Sequence, residues 1–146
     1  MVDREQRERI AHHESGHVLV AVTLGLRIRY AQIAPEPEVV LDHRLNRRLG
    51  LGLDERVQFL VGGYVAERIF APDDTSLDNS RLDLERAREL TDGAGVARAM
   101  SRADAILRAR WNQVEVIAAA LLERGELGGP AIRTKRLCGK RRSGAS

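Results

Sequence analysis

The chain has 146 residues, a length typical of a single domain. Its residues are 43% hydrophobic but only 3% aromatic, so a core must be built from Leu, Ile, Val and Ala, and a mainly helical fold is favoured. The single cysteine, Cys138, excludes an internal disulfide and favours a reducing, cytoplasmic location. We find no apolar segment typical of a signal peptide or a membrane span, so we expect no membrane partner.

The net charge of +3 is distributed unevenly along the chain. Residues 1–130 carry 18 basic and 21 acidic side chains, whereas residues 131–146 carry six basic side chains and no acidic one. A short basic segment at a chain end is more typical of a solvated tail than of a nucleic-acid site. We therefore expect one domain over residues 1–130 and a basic, disordered tail over residues 131–146, with nucleic acid not expected as a partner.

The first predicted helix, residues 4–24, carries the motif His13-Glu14-Ser15-Gly16-His17. Residues four apart share one face of a helix, so the imidazoles of His13 and His17 could bind one zinc ion from the same side. Glu14 would then act as the general base towards a water on the open side of the metal, as in the H-E-x-x-H motif. Gly16 is unfavourable in a helix interior by about 1 kcal/mol, which indicates a close neighbour such as a strand or a substrate backbone.

A small β-hairpin is predicted after the first helix. Residues 27–33 alternate between polar and apolar side chains, and residues 38–41 can return beside them after two prolines. Prolines suit a sheet edge, and an edge strand beside a zinc helix could hold an extended substrate by strand addition. Ile28, Tyr30 and Gln32 are then the candidate substrate-strand residues. A purely structural hairpin is equally compatible with the sequence.

A second helix is predicted after a polar loop. The loop covers residues 42–53 and contains His43, which we expect to be exposed. Asp54 is predicted to cap the helix, and its apolar period continues to Ile69. The pair Gly62-Gly63 lies in the middle of this pattern and indicates that another helix, the one with the zinc motif, packs very close to it.

The third predicted helix, residues 81–91, offers a candidate for the third zinc ligand. Ser80 occupies its N-cap position, so Asp83 can be interpreted either as the carboxylate of a capping box or as a metal ligand. Glu67 on the second helix is an alternative ligand, because a catalytic zinc site normally has three protein ligands. Spacing alone leaves this choice open.

A last helix is predicted over residues 101–123. Gly93 and Gly95 are expected to interrupt the helical pattern before it, and a glycine-rich segment ends it. No glycine-rich phosphate loop occurs anywhere in the sequence, so no ATP site is predicted.

Three segments resemble the peptidase domain of the FtsH-type AAA+ zinc metalloproteases. Residues 11–20 (AHHESGHVLV) are similar to the family pattern A-Y-H-E-A-G-H-A-[LV]-V. Residues 62–70 (GGYVAERIF) are similar to G-G-R-x-A-E-x-[LI]-x-F, and residues 83–87 (DLERA) match the D-[LI]-x-x-A part of [SN]-N-D-[LI]-x-x-A-T. The resemblance covers about residues 8–130, although Leu82 and Arg88 stand where the family has Asn and Thr.

The resemblance implies a mainly α, zincin-like helical peptidase domain with a small β-hairpin beside the zinc helix. It implies His13, His17 and Asp83 as ligands of one Zn²⁺ per chain, and Glu14 as the catalytic base. Glu67 becomes a residue that orients a ligand histidine. The family's ATPase module and membrane anchor do not occur in this sequence, so we expect a stand-alone domain.

The expected function is therefore that of a zinc metalloendopeptidase that hydrolyses peptides or unfolded segments without its own ATPase. The alternatives are a regulatory peptidase with a single protein substrate and a non-catalytic, zinc-binding adaptor for a peptide or partner. Expected partners are a peptide or unfolded protein substrate, with a separate ATPase or a homo-oligomer as further candidates.

Overall fold

The computed structural model describes residues 3–133. Its elements in chain order are α1 (Arg4–Thr23), β1 (Ile28–Gln32), β2 (Glu38–Leu41), α2 (His43–Arg48), α3 (Leu53–Phe70), α4 (Arg81–Leu90), α5 (Gly93–Ala109), α6 (Trp111–Arg124), β3 (Glu126–Gly128) and α7 (Gly129–Ile132). The predicted fold class, mainly helical with a small β element, is confirmed. Within residues 3–133, no helix combines the length and the hydropathy that a membrane span requires.

Helix α1 is the central element of the fold. Its N-cap, Asp3, accepts a hydrogen bond from the backbone N–H of Gln6 at 2.8 Å, and Gly25 follows its last turn with a φ of 81°. Residues 11–21 are all buried, because α3, α5, α6 and the sheet pack around this helix. A helix covered on every side belongs to the core. The histidine motif therefore lies inside the fold.

Helices α1 and α3 approach each other closely at their glycines. A Cβ atom on Gly16 would lie 2.4 Å from the Cβ of Ala66 and 2.5 Å from the carbonyl oxygen of Gly62. A Cβ atom on Gly62 would lie 3.0 Å from Val20 Cγ2. The close packing predicted from the glycine pair is confirmed, and the neighbour of Gly16 is α3 rather than a strand or a substrate backbone.

The sheet has three antiparallel strands in the order β2-β1-β3. Strand β3 was not predicted, and it pairs with the side of β1 that a two-stranded hairpin would leave free. The prediction that β1 is an edge strand is therefore wrong, and Ile28, Tyr30 and Gln32 do not offer a substrate-binding edge. Among the described residues, the free edge on the other side of the sheet belongs to β2.

Two predicted boundaries in the first half change. Residues 42–53 are not simply a loop, because they contain α2, a helix too short to show an apolar period. The carboxylate of Asp42 caps α2 by accepting the N–H of Leu45 at 3.1 Å. Helix α3 begins at Leu53, before the predicted cap, and the N–H of Gly52 donates to Glu55 at 2.8 Å.

The second half differs from the prediction in its helix breaks. Gly93 and Gly95 begin α5 instead of interrupting a helix, because the carboxylate of Asp92 accepts the N–H of Gly95 at 2.7 Å. The helix predicted over residues 101–123 is divided between α5 and α6, which meet at Arg110 with φ −129° and ψ 33°.

The packed domain continues to the end of the described residues. Ile132 in α7 is only 1% exposed and belongs to the core, two residues past the boundary expected at residue 130. Residues 134–146, which include most of the predicted basic tail and Cys138, lie outside the described part of the chain.

Candidate metal centre

The two motif histidines project from one face of α1. The Nε2 atoms of His13 and His17 lie 3.2 Å apart, and the side chains are 1% and 5% exposed. This is the arrangement that the four-residue spacing predicts.

Asp83 in the first turn of α4 completes a three-residue cluster. Its Oδ2 atom lies 3.3 Å from Nε2 of His13 and 3.0 Å from Nε2 of His17. Ser80 occupies the N-cap position without making a side-chain capping bond, and its hydroxyl instead lies 3.5 Å from Nδ1 of His13. Of the two interpretations left open by the sequence, the geometry favours a ligand over a capping carboxylate.

The second nitrogen of each imidazole is occupied by the protein. Nδ1 of His13 donates to Oε1 of Glu67 at 2.9 Å, and Nδ1 of His17 donates to the backbone carbonyl of Phe59 at 2.7 Å. A hydrogen bond of this kind fixes the ring and leaves Nε2 for a metal. Glu67 therefore contacts the side of His13 that faces away from the cluster, where it can orient the ring. The amide of Asn79 lies 3.4 Å from both carboxylate oxygens of Glu67.

The cluster fits a zinc ion in its chemistry and dimensions. Two neutral imidazoles and one carboxylate form a donor set found in zinc sites, with bonds of about 2.0–2.2 Å. Bonds of that length in a tetrahedron place the ligand atoms about 3.3–3.6 Å apart, and the observed separations of 3.0–3.3 Å are within a few tenths of an ångström of this range. Gly63 keeps the space beside both Nε2 atoms free, since a Cβ atom there would lie 2.5 Å from each of them.

The charges of the cluster stabilise one another. Burial opposes protonation of His13, but hydrogen bonds to Asp83 and Glu67 outweigh it and raise the pKa of His13 to about 9. Burial also opposes ionisation of Asp83, but hydrogen bonds from His13 and His17 hold its pKa well below the usual range. The carboxylate of Asp83 is thus available as an anionic ligand.

Glu14 lies beside the cluster and is 6% exposed. Burial raises the pKa of its carboxyl group, and the neighbouring His17 and His13 partly offset this effect. A carboxylate that has lost part of its hydration is a stronger proton acceptor than one in water.

The cluster opens into a cleft of about 670 Å³. His13, Glu14, His17 and Asp83 line its floor, and residues 36–41, which include all of β2, form one wall. Among the described residues, the strand that presents an unpaired edge beside the histidines is therefore β2. The sequence analysis had assigned this position to β1.

Sequence reasoning thus found the residues of the cluster but missed several of their neighbours. The structure brings together all the predicted metal-site residues, including Glu14 and Glu67. The sequence analysis did not identify the Phe59 carbonyl, because a backbone acceptor has no sequence signature. It also did not identify Asn79 in the loop before α4. His43 is exposed as expected, but it begins α2 instead of lying in a loop, and it lines the cleft.

Fold and site together define a class: a mainly helical domain with a His-His-Asp cluster suited to zinc, in which both histidines are buried, beside a carboxylate and a free strand edge. No protein-family model matches the chain. The chain is similar to the ATP-dependent zinc metalloprotease FtsH of Pirellula staleyi, with 29% identity over 143 residues. The match covers 92% of this chain but 19% of that protein, so the relationship is distant and limited to a part of the relative.

Proposed function

We propose that this chain is a zinc-dependent metalloendopeptidase domain that hydrolyses bonds in peptides or unfolded segments. The observation that carries the proposal is the convergence of His13 Nε2, His17 Nε2 and Asp83 Oδ2 in an open cleft that also contains the buried carboxylate of Glu14. The similarity to a protein named as a zinc metalloprotease supports the same conclusion.

His13, His17 and Asp83 would hold the zinc ion. A zinc ion with three protein ligands supplies Lewis acidity and lowers the pKa of a water to about 7. Glu67 and the Phe59 carbonyl orient the two imidazoles, so their Nε2 atoms need little rearrangement to bind the metal.

Glu14 would manage the protons of the reaction. Its carboxylate accepts a proton from the attacking water and then returns it to the amine that leaves as the peptide bond breaks. The same residue can serve both steps because it lines the cleft beside the ligand histidines.

The free edge of β2 would hold the substrate. A peptide in extended conformation can add to an unpaired strand through backbone hydrogen bonds, which bind any sequence. The unpaired edge of residues 38–41 replaces the β1 residues in the role predicted from the sequence.

The variant Glu14→Gln tests this function. It should retain about the wild-type zinc content and lose about 10²–10⁴-fold in the rate of peptide cleavage, the usual contribution of general acid–base catalysis. Zinc content and the cleavage rate of unfolded casein should be measured on the same preparations. Undiminished cleavage by the metal-loaded variant would remove Glu14 from this role. Zinc binding without cleavage by the wild-type chain would favour the non-catalytic adaptor.

A further inference from the structure

The cleft is acidic at the end where β2 begins. Glu36 and Glu38 line it there, and Asp78 lines the cleft from the loop before α4. Arg86 on α4 is the one arginine that lines the cleft within residues 3–133, so acidic side chains outnumber it. The carboxylate of Glu38 is held in place, since Oε2 accepts the hydroxyl of Tyr30 at 2.9 Å. Within residues 3–133, none of these three carboxylates forms an ion pair. They are free to attract a cationic group.

A basic pocket adjoins the cleft at the other end of β2. It has a volume of about 460 Å³, and its titratable lining residues are His43, Arg47 and Arg56. Leu41 and His43 line both the cleft and the pocket, so the two spaces are neighbours. In the part of the chain described here, neither arginine has an ion-pair partner.

The two charged regions are connected by one strand. The four residues of β2 span about 13 Å at the usual rise of a strand, so a peptide paired with its edge extends from the acidic end to the basic end. Side chains four positions apart in an extended peptide lie on the same face. A peptide with opposite charges at that spacing can satisfy both regions at once, whereas the reversed order places like charges together.

We propose that the cleft selects extended peptides by charge, and this inference rests on the proposed peptidase function. The preferred substrate carries a cationic side chain at the Glu36 and Glu38 end. About four residues away it carries an anionic side chain, or its terminal carboxylate, at the Arg47 and Arg56 end. The charged side chains determine which segments are selected, and hydrogen bonds to the backbone of β2 bind the selected segment.

Three fluorescein-labelled decapeptides test this selection. They share a Gly, Ala and Leu background and carry, four positions apart, Arg then Glu, Glu then Arg, or two Gln residues. We expect one charged order to be cleaved about tenfold better than the neutral peptide and the other order to be cleaved less well, as a few exposed ion pairs allow. The preference should decrease in 0.5 M NaCl because salt screens exposed charges.

Charge-reversed variants identify the groups responsible. The double variant Arg47→Glu/Arg56→Glu should remove or invert the ratio between the two charged peptides. Both side chains are exposed, so the fold is expected to tolerate the change. Arg98→Glu/Arg102→Glu on α5 is the matched control with the same change in net charge. These two residues do not line the cleft or the basic pocket, so the ratio should stay as in the wild type.

A binding measurement separates this inference from the proposed function. Fluorescence anisotropy of the same peptides with zinc-loaded Glu14→Gln reports binding without cleavage. Cleavage of all three peptides at equal rates would overturn the charge selection and leave the peptidase function intact. Order-dependent binding that disappears in the Arg47→Glu/Arg56→Glu background, without cleavage by the wild type, would support charge selection and contradict the peptidase function. Equal binding and no cleavage would overturn both.

Discussion

Replacing Gly63 by alanine should sharply weaken zinc binding while leaving the helices in place. The new Cβ atom would lie 2.5 Å from Nε2 of both His13 and His17, whereas ordinary contacts begin at 3.4 Å. The shortfall of about 0.9 Å must be met by moving the imidazoles, and hydrogen bonds of 2.9 and 2.7 Å to Glu67 and the Phe59 carbonyl oppose that movement. Metal–ligand bonds tolerate deviations of about 0.2 Å. We therefore expect zinc affinity to fall by about 100-fold or more.

The assay is a zinc titration against a chromophoric chelator, with far-UV circular dichroism to confirm the fold. Gly93→Ala is the matched control, because a Cβ atom there meets nothing within 4 Å. It should keep the wild-type zinc affinity. Wild-type zinc affinity in folded Gly63→Ala would refute the placement of the metal beside this glycine.

Three further predictions follow from the contacts of the site and the core. Glu67→Gln should bind zinc about 10–100-fold more weakly, measured by the same titration, because a neutral amide orients the His13 ring less well; unchanged affinity would contradict an orienting role. Gly16→Ala should lower the free energy of unfolding, measured by urea denaturation, by about 1–3 kcal/mol, because its Cβ would lie 2.4 Å from that of Ala66. A stability equal to that of the wild type would disprove the close packing of α1 against α3. Removing zinc with a chelator should lower the melting temperature, and adding zinc back should restore it. The reason is that a ligand that binds only the native state stabilises it by about 2.7 kcal/mol at 100 times its Kd. A melting temperature that does not change with zinc would argue against a site in the native core.

The sequence was most informative where the chemistry is local. The spacing of His13 and His17 placed both imidazoles on one helix face, and a helical period is enough to predict that. The glycine pair in α3 also predicted its neighbour correctly, since two unfavourable glycines in a helix require close packing. Asp83 was chosen over a capping role only through the resemblance, and the contacts of its carboxylate now favour the same choice.

The errors arose where the structure depends on distant pairing or on a few residues. Strand β3 is three residues long and pairs with β1 from almost 100 positions away, so no local pattern could show that β1 is central. Helix α2 has six residues, too few for a period, and only the Asp42 cap signals it. The basic pocket was missed for the same reason, because it is assembled from α2, the end of β2 and the start of α3.

Metal analysis of the purified wild type beside His17→Ala and Asp83→Ala tests the central claim most directly. The geometry predicts one zinc ion per wild-type chain, and loss or sharp weakening of binding in both variants, because both remove an atom of the same three-ligand cluster. Circular dichroism of each sample shows that the fold is retained. A wild type that takes up no zinc after loading, or Asp83→Ala that keeps its zinc at full affinity, would contradict the proposed metal centre.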